Sequence, residues 1–134
     1  MVGGAQVGHI GKGLLVFVCA EPLDTDALAD QMVVKLLKLR IFSDAHGKMN
    51  LSVADVGGAV LIVSQFTLAA NVSSGNRPSF TGAADAAKGR HIYERVLATA
   101  RALHPEVACG EFAADMQVHL VNDGPVTIPV NLRS

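Results

Sequence analysis

The sequence has little cysteine, little net charge and no long apolar run, and each shortage removes a class of protein. Two cysteines, Cys19 and Cys109, cannot build a disulfide scaffold. They read as two reduced thiols in a reducing compartment, which places the chain in the cytoplasm. There is no Cys-x-x-Cys pair and the five histidines are scattered, so no zinc spacing exists and no metal or other cofactor is expected. The formal net charge is −1. Nothing in that balance predicts a protein that coats long stretches of nucleic acid, and it leaves room for one that grips a short RNA end. No apolar run approaches the length of a membrane span, so no membrane partner is expected. Lys12 followed by Leu14–Ala20 has a faint signal-peptide look, but the run is short, glycines precede it and Glu21-Pro22 ends it. It reads instead as a buried strand. The sequons Asn50-Leu51-Ser52 and Asn71-Val72-Ser73 carry no meaning in a cytosolic chain.

What is present is a compact core. Half of the 134 residues are apolar and 17% are charged, enough for one domain over residues 1–134, without repeats or linkers. Gly3, Gly4, Gly8, Gly11 and Gly13 read as turns leading into a strand from Leu14 to Val18. Asp24-Thr25-Asp26 offers a helix cap with early acidic residues. Leu28, Met32, Val33, Leu36 and Leu39 follow at helical spacing, which predicts a helix over about Thr25–Leu39. Ser43–Lys48 is a polar turn, Met49–Val53 a short strand and Val56-Gly57-Gly58 another turn. Ala59–Leu68 is a β-prone run whose first half, apolar on both faces, suits a central strand. Asn71–Ser79 is a loop. A second helix is expected over about Asp85–Leu103, with Ile92, Val96, Ala100 and Leu103 on one face. Phe112–Val121 alternates like a strand with one wet face, and Val126–Val130 resumes as a last strand, an edge or bulge because of Pro129. Strands and two main helices without regular βαβ alternation give the class α+β.

Chemistry is harder to place. Ser64 and Thr67 are candidate nucleophiles, and His91, His104 and His119 candidate bases. No Gly-x-Ser-x-Gly elbow surrounds Ser64, and a lone Ser-x-x-Thr at a strand end is usually structural. Glu111 and Asp115 read as surface charge. Two segments stand out physically. In Ser64-Gln65-Phe66-Thr67 polar residues arrive where an apolar strand ends, a common place for binding groups, although such hydroxyls also satisfy local backbone. In Gly124-Pro125 the glycine permits unusual backbone shapes and the proline tolerates a cis bond, the trans turn being the commoner case.

Taken together, Ser64-Gln65-Phe66-Thr67-Leu68 and Asn122-Asp123-Gly124-Pro125-Val126-Thr127 resemble the paired signature motifs of D-aminoacyl-tRNA deacylases. Arg40–Asp44, Gly47–Leu51, Arg77–Phe80 and Phe112–Met116 resemble further family stretches, in the family's order, so that the match runs from about Gly11 to Val130. The resemblance implies mixed and antiparallel sheets forming a barrel-like core with two main helices. It implies a homodimer in which Gly124 and Pro125 of one subunit enter the partner's site and face Ser64, Gln65, Phe66 and Thr67. It implies hydrolysis of the ester between a D-amino acid, or glycine mischarged on alanine tRNA, and the terminal adenosine of tRNA. Phe112 and Met116 would contact substrate. Two carbonyls locked by a cis bond would read chirality by excluding an L side chain. Backbone N–H groups near Phe66 and Thr67 would hold the oxyanion. Water or the ribose 2′-hydroxyl would be the acting group, with Gln65 and Thr67 positioning. Lys35, Lys38, Arg40 and Lys48 are candidates for phosphate contacts. Family chains usually begin with one more strand, including a Gln-Arg-Val-like stretch, so this sequence reads as an N-terminally shortened form with an exposed sheet edge.

Overall fold

The structure, a computed structural model, describes residues 13–110, 112 and 127–132. Along the chain run β1 (Gly13–Val18), α1 (Asp26–Lys38), β2 (Phe42–Ser43), β3 (Met49–Leu51) and β4 (Ala59–Ser64). A 3-10 helix (Phe66–Ala69), α2 (Ala86–Leu103) and β5 (Val107–Cys109) follow. β1, β4 and β5 form a parallel sheet in that order, and β2 and β3 a separate antiparallel hairpin. The class is α+β with sheets of both kinds. The barrel-like closure expected from the resemblance draws on Phe112–Val121, which apart from Phe112 lies outside the described residues.

The helices begin and end where local chemistry dictates. The Thr25 hydroxyl accepts from the Leu28 N–H, and the Asp85 carboxylate from the Lys88 N–H, each satisfying a donor that the first turn leaves open. Lys35 and Lys38 sit at the C-terminal end of α1, where the dipole favours cations. α1 buries Ala29 and Val33; α2 buries Ile92, Tyr93, Val96, Leu97 and Ala100. They close over Val60 and Ile62 of β4 and over Val53. On β1 the alternation is visible: Leu14, Val16 and Val18 pack against this core, while Phe17 on the other face is 41% exposed. Full burial of one such aliphatic side chain contributes about 1.5–3 kcal/mol.

Parallel strands require crossovers, and α1 and α2 supply them. Both helices therefore run the same way, and polar pairs hold them in register. His91 Nε2 lies 2.7 Å from Asp26 Oδ1. Four residues further on, Arg95 grips Asp30 with two hydrogen bonds of 2.9 and 2.8 Å, and the Thr99 hydroxyl donates to the same carboxylate at 2.7 Å. These bonds, Arg95 first and then Thr99, pull the Asp30 carboxyl from 3.8 down to about 2. A carboxyl more acidic when folded adds stability that is complete above its unfolded value and disappears as pH falls towards its folded one. The melting temperature is therefore expected to lose this contribution between about pH 4 and about pH 2, and Asp30→Asn to lack that part of the acid response. Thermal melts at stepped pH check it; an identical acid slope in the variant would contradict the assignment.

Three expectations need correction. The β-prone run Ala59–Leu68 is not one strand: it stops at Ser64 and turns into the 3-10 helix. Thr127–Val130 forms no strand; Pro129 has no N–H for a ladder, and Val126 lies outside the described residues. Leu103 does not join the core but is 56% exposed at the end of α2. The parallel pairing of β4 with β1 on one side and β5 on the other, beside the antiparallel hairpin, agrees with the mixed sheets expected.

Candidate active site

β4 delivers the signature residues. Ser64, half-buried, ends the strand opposite Val18, and the next N–H, that of Gln65, still donates to the Val18 carbonyl at 2.8 Å. Gln65 then leaves the strand geometry (φ −142°, ψ 88°), and Phe66–Ala69 wind into a 3-10 turn. Its bonds are Leu68 N–H to Gln65 carbonyl at 3.2 Å and Ala70 N–H to Thr67 carbonyl at 3.1 Å. The turn folds Gln65 back over Thr67, so that the Gln65 Nε2 amide donates to the Thr67 hydroxyl oxygen. Of the expected catalytic residues, Gln65 and Thr67 are thus in contact. Phe66 points outward and is 58% exposed.

Two neighbours support this turn. The Cys19 thiol, just past β1, lies between two carbonyl acceptors, that of Ala20 at 3.5 Å and that of Phe66 at 3.7 Å. Burial, with Glu21 adding to it, raises the Cys19 pKa and keeps the thiol protonated and able to donate. Phe80 packs edge-on against Phe66, ring centroids 4.9 Å apart at 72°, a favoured aromatic geometry. Phe80 is carried there by the 71–79 loop, which Asn71 and Ser79 close with reciprocal backbone bonds of 2.7 and 2.8 Å. The sequence motif Arg77–Phe80 gave a hint of Phe80; nothing in the pattern around Cys19 marked it.

Phe112 is placed differently. Its ring lies 5.8 Å from that of Tyr93, with the Arg90 guanidinium 4.8 Å above it. A Cβ on Gly89 would meet the edge of the Phe112 ring at 3.4 Å, an ordinary van der Waals contact, so the ring lies directly against this turn of α2. Tyr93 in turn sends its hydroxyl to the carbonyls of Ile62 and Gly110, each at 3.0 Å, tying α2 to the end of the sheet. Burial is the first cause that pushes the Tyr93 hydroxyl up to about 12, so it remains a donor. Met116, Gly124 and Pro125, the other expected substrate contacts, lie outside the described residues, as do His119, Glu111 and Asp115.

No acid–base partner reaches the hydroxyls among the described residues. His91 is engaged with Asp26 on the outer helix surface. His104 is buried and bonds the Gly58 carbonyl at 2.8 Å, pinning the loop before β4. No group of three His, Cys, Asp or Glu that could hold a metal ion occurs among the described residues. No helix there is long and apolar enough to cross a membrane. What this arrangement offers a substrate is a polar turn at a strand end: one amide, one hydroxyl and the first N–H groups of a helical turn, flanked by exposed aromatic surface.

Comparison with known proteins agrees with the fold and extends it. A solved structure described as a probable eukaryotic D-amino acid tRNA deacylase shares the fold, with a TM-score of 0.65 at 19% identity over 78% of this chain and 76% of that one. Another, described as a c-Myc DNA Unwinding Element Binding Protein, superposes with a TM-score of 0.94 at 39% identity, covering 100% of this chain and 91% of that chain. A D-aminoacyl-tRNA deacylase of Methylibium petroleiphilum is 70% identical over 129 residues, which are 96% of this chain and 85% of that protein. The D-aminoacyl-tRNA deacylase of Aromatoleum aromaticum is 65% identical over 132 residues, 98% and 87% of the two chains. The sequence model of the D-Tyr-tRNA(Tyr) deacylases matches residues 1–131, and the chain belongs to that family.

Proposed function

We propose that this protein hydrolyses the ester joining a D-amino acid to the 3′ end of tRNA, releasing free D-amino acid and intact tRNA. The observation that carries this reading is the Ser64–Thr67 turn at the end of β4, with Gln65 held over Thr67, in a chain of the D-Tyr-tRNA(Tyr) deacylase family. The first N–H groups of a helical turn have no partner within it. Those of Phe66 and Thr67 are the donors for the oxyanion that forms when the ester carbonyl is attacked. With no base beside Thr67 among the described residues, the attacking oxygen is that of a water, and the neighbouring ribose 2′-hydroxyl takes up its proton while passing its own to the leaving oxygen. The bond from the acyl carbon to the ribose oxygen then breaks, and that oxygen takes up a proton. Gln65 and Thr67 position these groups. Phe112 and Met116 shape the substrate side.

Chirality is read by Gly124-Pro125, presented by a second copy of the chain. Rigid carbonyls close to the α-carbon accept from the substrate ammonium and leave an L side chain no space, whereas glycine passes because it has none. The working form is a homodimer in the cytoplasm, and glycine on alanine tRNA is a second substrate. The assay that tests this compares release of D-tyrosine and L-tyrosine from tyrosyl-tRNA by the purified protein. D-Tyrosine release at least about a thousandfold faster is expected, since a steric clash opposes the wrong substrate directly. Binding of charged tRNA with no hydrolysis of either form would overturn the reading, and so would equal hydrolysis of both.

A further inference from the structure

Charge in this chain is segregated. The whole molecule carries a net −1, yet residues 31–54 contain four Lys or Arg (Lys35, Lys38, Arg40, Lys48) against the single Asp44, leaving seven against eleven elsewhere. All four cations are exposed. Among the described residues none of the ion pairs engages Lys35, Lys38 or Lys48. Arg40 is steered onto the hairpin by its Nε–H bond to the Asn50 carbonyl at 3.1 Å. The carboxylates beside the strip are committed to turns. Asp44 accepts from the His46 and Lys48 N–H groups, and Asp55 from the Ser52 N–H. Asp30 is held by Arg95.

The place of this strip in the fold selects its ligand. Gln65 bonds to the last residue of β1, so the signature turn lies where β1 and β4 end. α1 starts shortly after that end of the sheet and must return to the other end for β4 to run parallel to β1. Its 13 residues span roughly 20 Å, so Lys35, Lys38 and the hairpin lie about that far from the turn. A terminal nucleoside seated at the turn does not extend that far; the paired stem behind it does.

We propose that Lys35, Lys38, Arg40 and Lys48 form a phosphate-binding strip for the double-stranded acceptor stem of tRNA, separate from the site that takes the 3′ end. The proposal rests on the deacylase reading above for the choice of tRNA. The strip supplies binding and register, and takes no part in the chemistry.

The test is the K35E/K38E variant, both changes lying on an exposed side of α1, assayed on D-tyrosyl-tRNA and on D-tyrosyl-adenosine. On tRNA the KM rises about tenfold or more with kcat changed less than twofold, and the slope of log KM against log salt becomes shallower by about two, one for each lost phosphate contact. On D-tyrosyl-adenosine nothing changes, and K35R/K38R behaves as wild type on both. An unchanged KM on tRNA, or equal losses on both substrates, would overturn the strip. Filter binding of uncharged tRNA separates this from the activity. If the wild-type protein binds tRNA but releases no D-tyrosine, while K35E/K38E loses binding, the strip stands and the hydrolytic reading falls. If the wild-type protein hydrolyses and K35E/K38E binds as well as it does, the strip falls and the hydrolytic reading stands.

Discussion

Gly13→Val is expected to lower the melting temperature by about 10 °C or more and to take activity with it. Gly13 stands opposite Ala59 at the first rung of the parallel pairing between β1 and β4. The two backbones approach so closely there that a Cβ on residue 13 would run into the Ala59 carbonyl, with the Ala59 carbonyl carbon and nitrogen just behind it. A flexible side chain could move aside from such a clash; a backbone carbonyl buried in a central strand cannot. Overpacking of that kind costs about 3 kcal/mol or more, and in a domain of this size one kcal/mol moves the melting temperature by about 3–5 °C. The pairing that Gly13 begins is the one that ends with Val18 opposite Ser64 and the Gln65 N–H on the Val18 carbonyl. A shift at the first rung is therefore transmitted to the Ser64–Thr67 turn. Thermal melts and D-tyrosine release, measured on the same preparations, check both halves. A variant that melts with the wild-type protein would show that β1 and β4 can separate locally at no cost.

Gly13 also illustrates what the sequence conceals. Read along the chain it is one of a cluster of glycines and suggests a turn; only the partner strand 46 residues later makes it a strand residue. Elements whose signals are local were legible. Thr25 and Asp85 each sit one residue before a helix, and the apolar residues at 3.6-residue spacing mark the faces that α1 and α2 bury. Val107–Cys109 is too short for alternation to show and exists because the edge of β4 is open to it. At Phe66–Ala69 the β-prone residues Phe, Thr and Leu favour a strand on their own. They wind into a 3-10 turn because β1, the strand's partner, has ended at Val18. The site follows the same division. Ser64–Thr67 could be singled out as polar residues arriving at a strand's end, and the family resemblance added the role proposed for them. The contacts that hold them, Cys19 to Phe66 across 47 residues and Phe80 to Phe66 across a loop, are non-local and left no mark in the local pattern.

The most direct test of the chemistry is a pair of substitutions in the turn. Gln65→Ala is expected to lower kcat by about a hundredfold and Thr67→Val by about tenfold, with no acyl-enzyme trapped in either. The magnitudes follow from what each group can do. The Gln65 amide has two N–H donors and a carbonyl; one donor is engaged on Thr67, which leaves the rest for substrate. Loss of one well-placed donor at a developing charge costs about 10²–10³ in rate. Thr67 receives the Gln65 amide, and its removal loosens Gln65 without taking away a donor to the transition state. Were Thr67 the nucleophile, its loss would instead cost on the order of 10⁶, as when the serine of a serine protease is removed. A threonine nucleophile also needs a base to take its proton. Its hydroxyl faces an amide N–H, while His91 and His104 are bound to Asp26 and to the Gly58 carbonyl. The comparison is made on variants that melt with the wild-type protein, with single-turnover rates on D-tyrosyl-tRNA. A Thr67→Val rate reduced to background, with Gln65→Ala still active, would reverse the assignment and make Thr67 the attacking group.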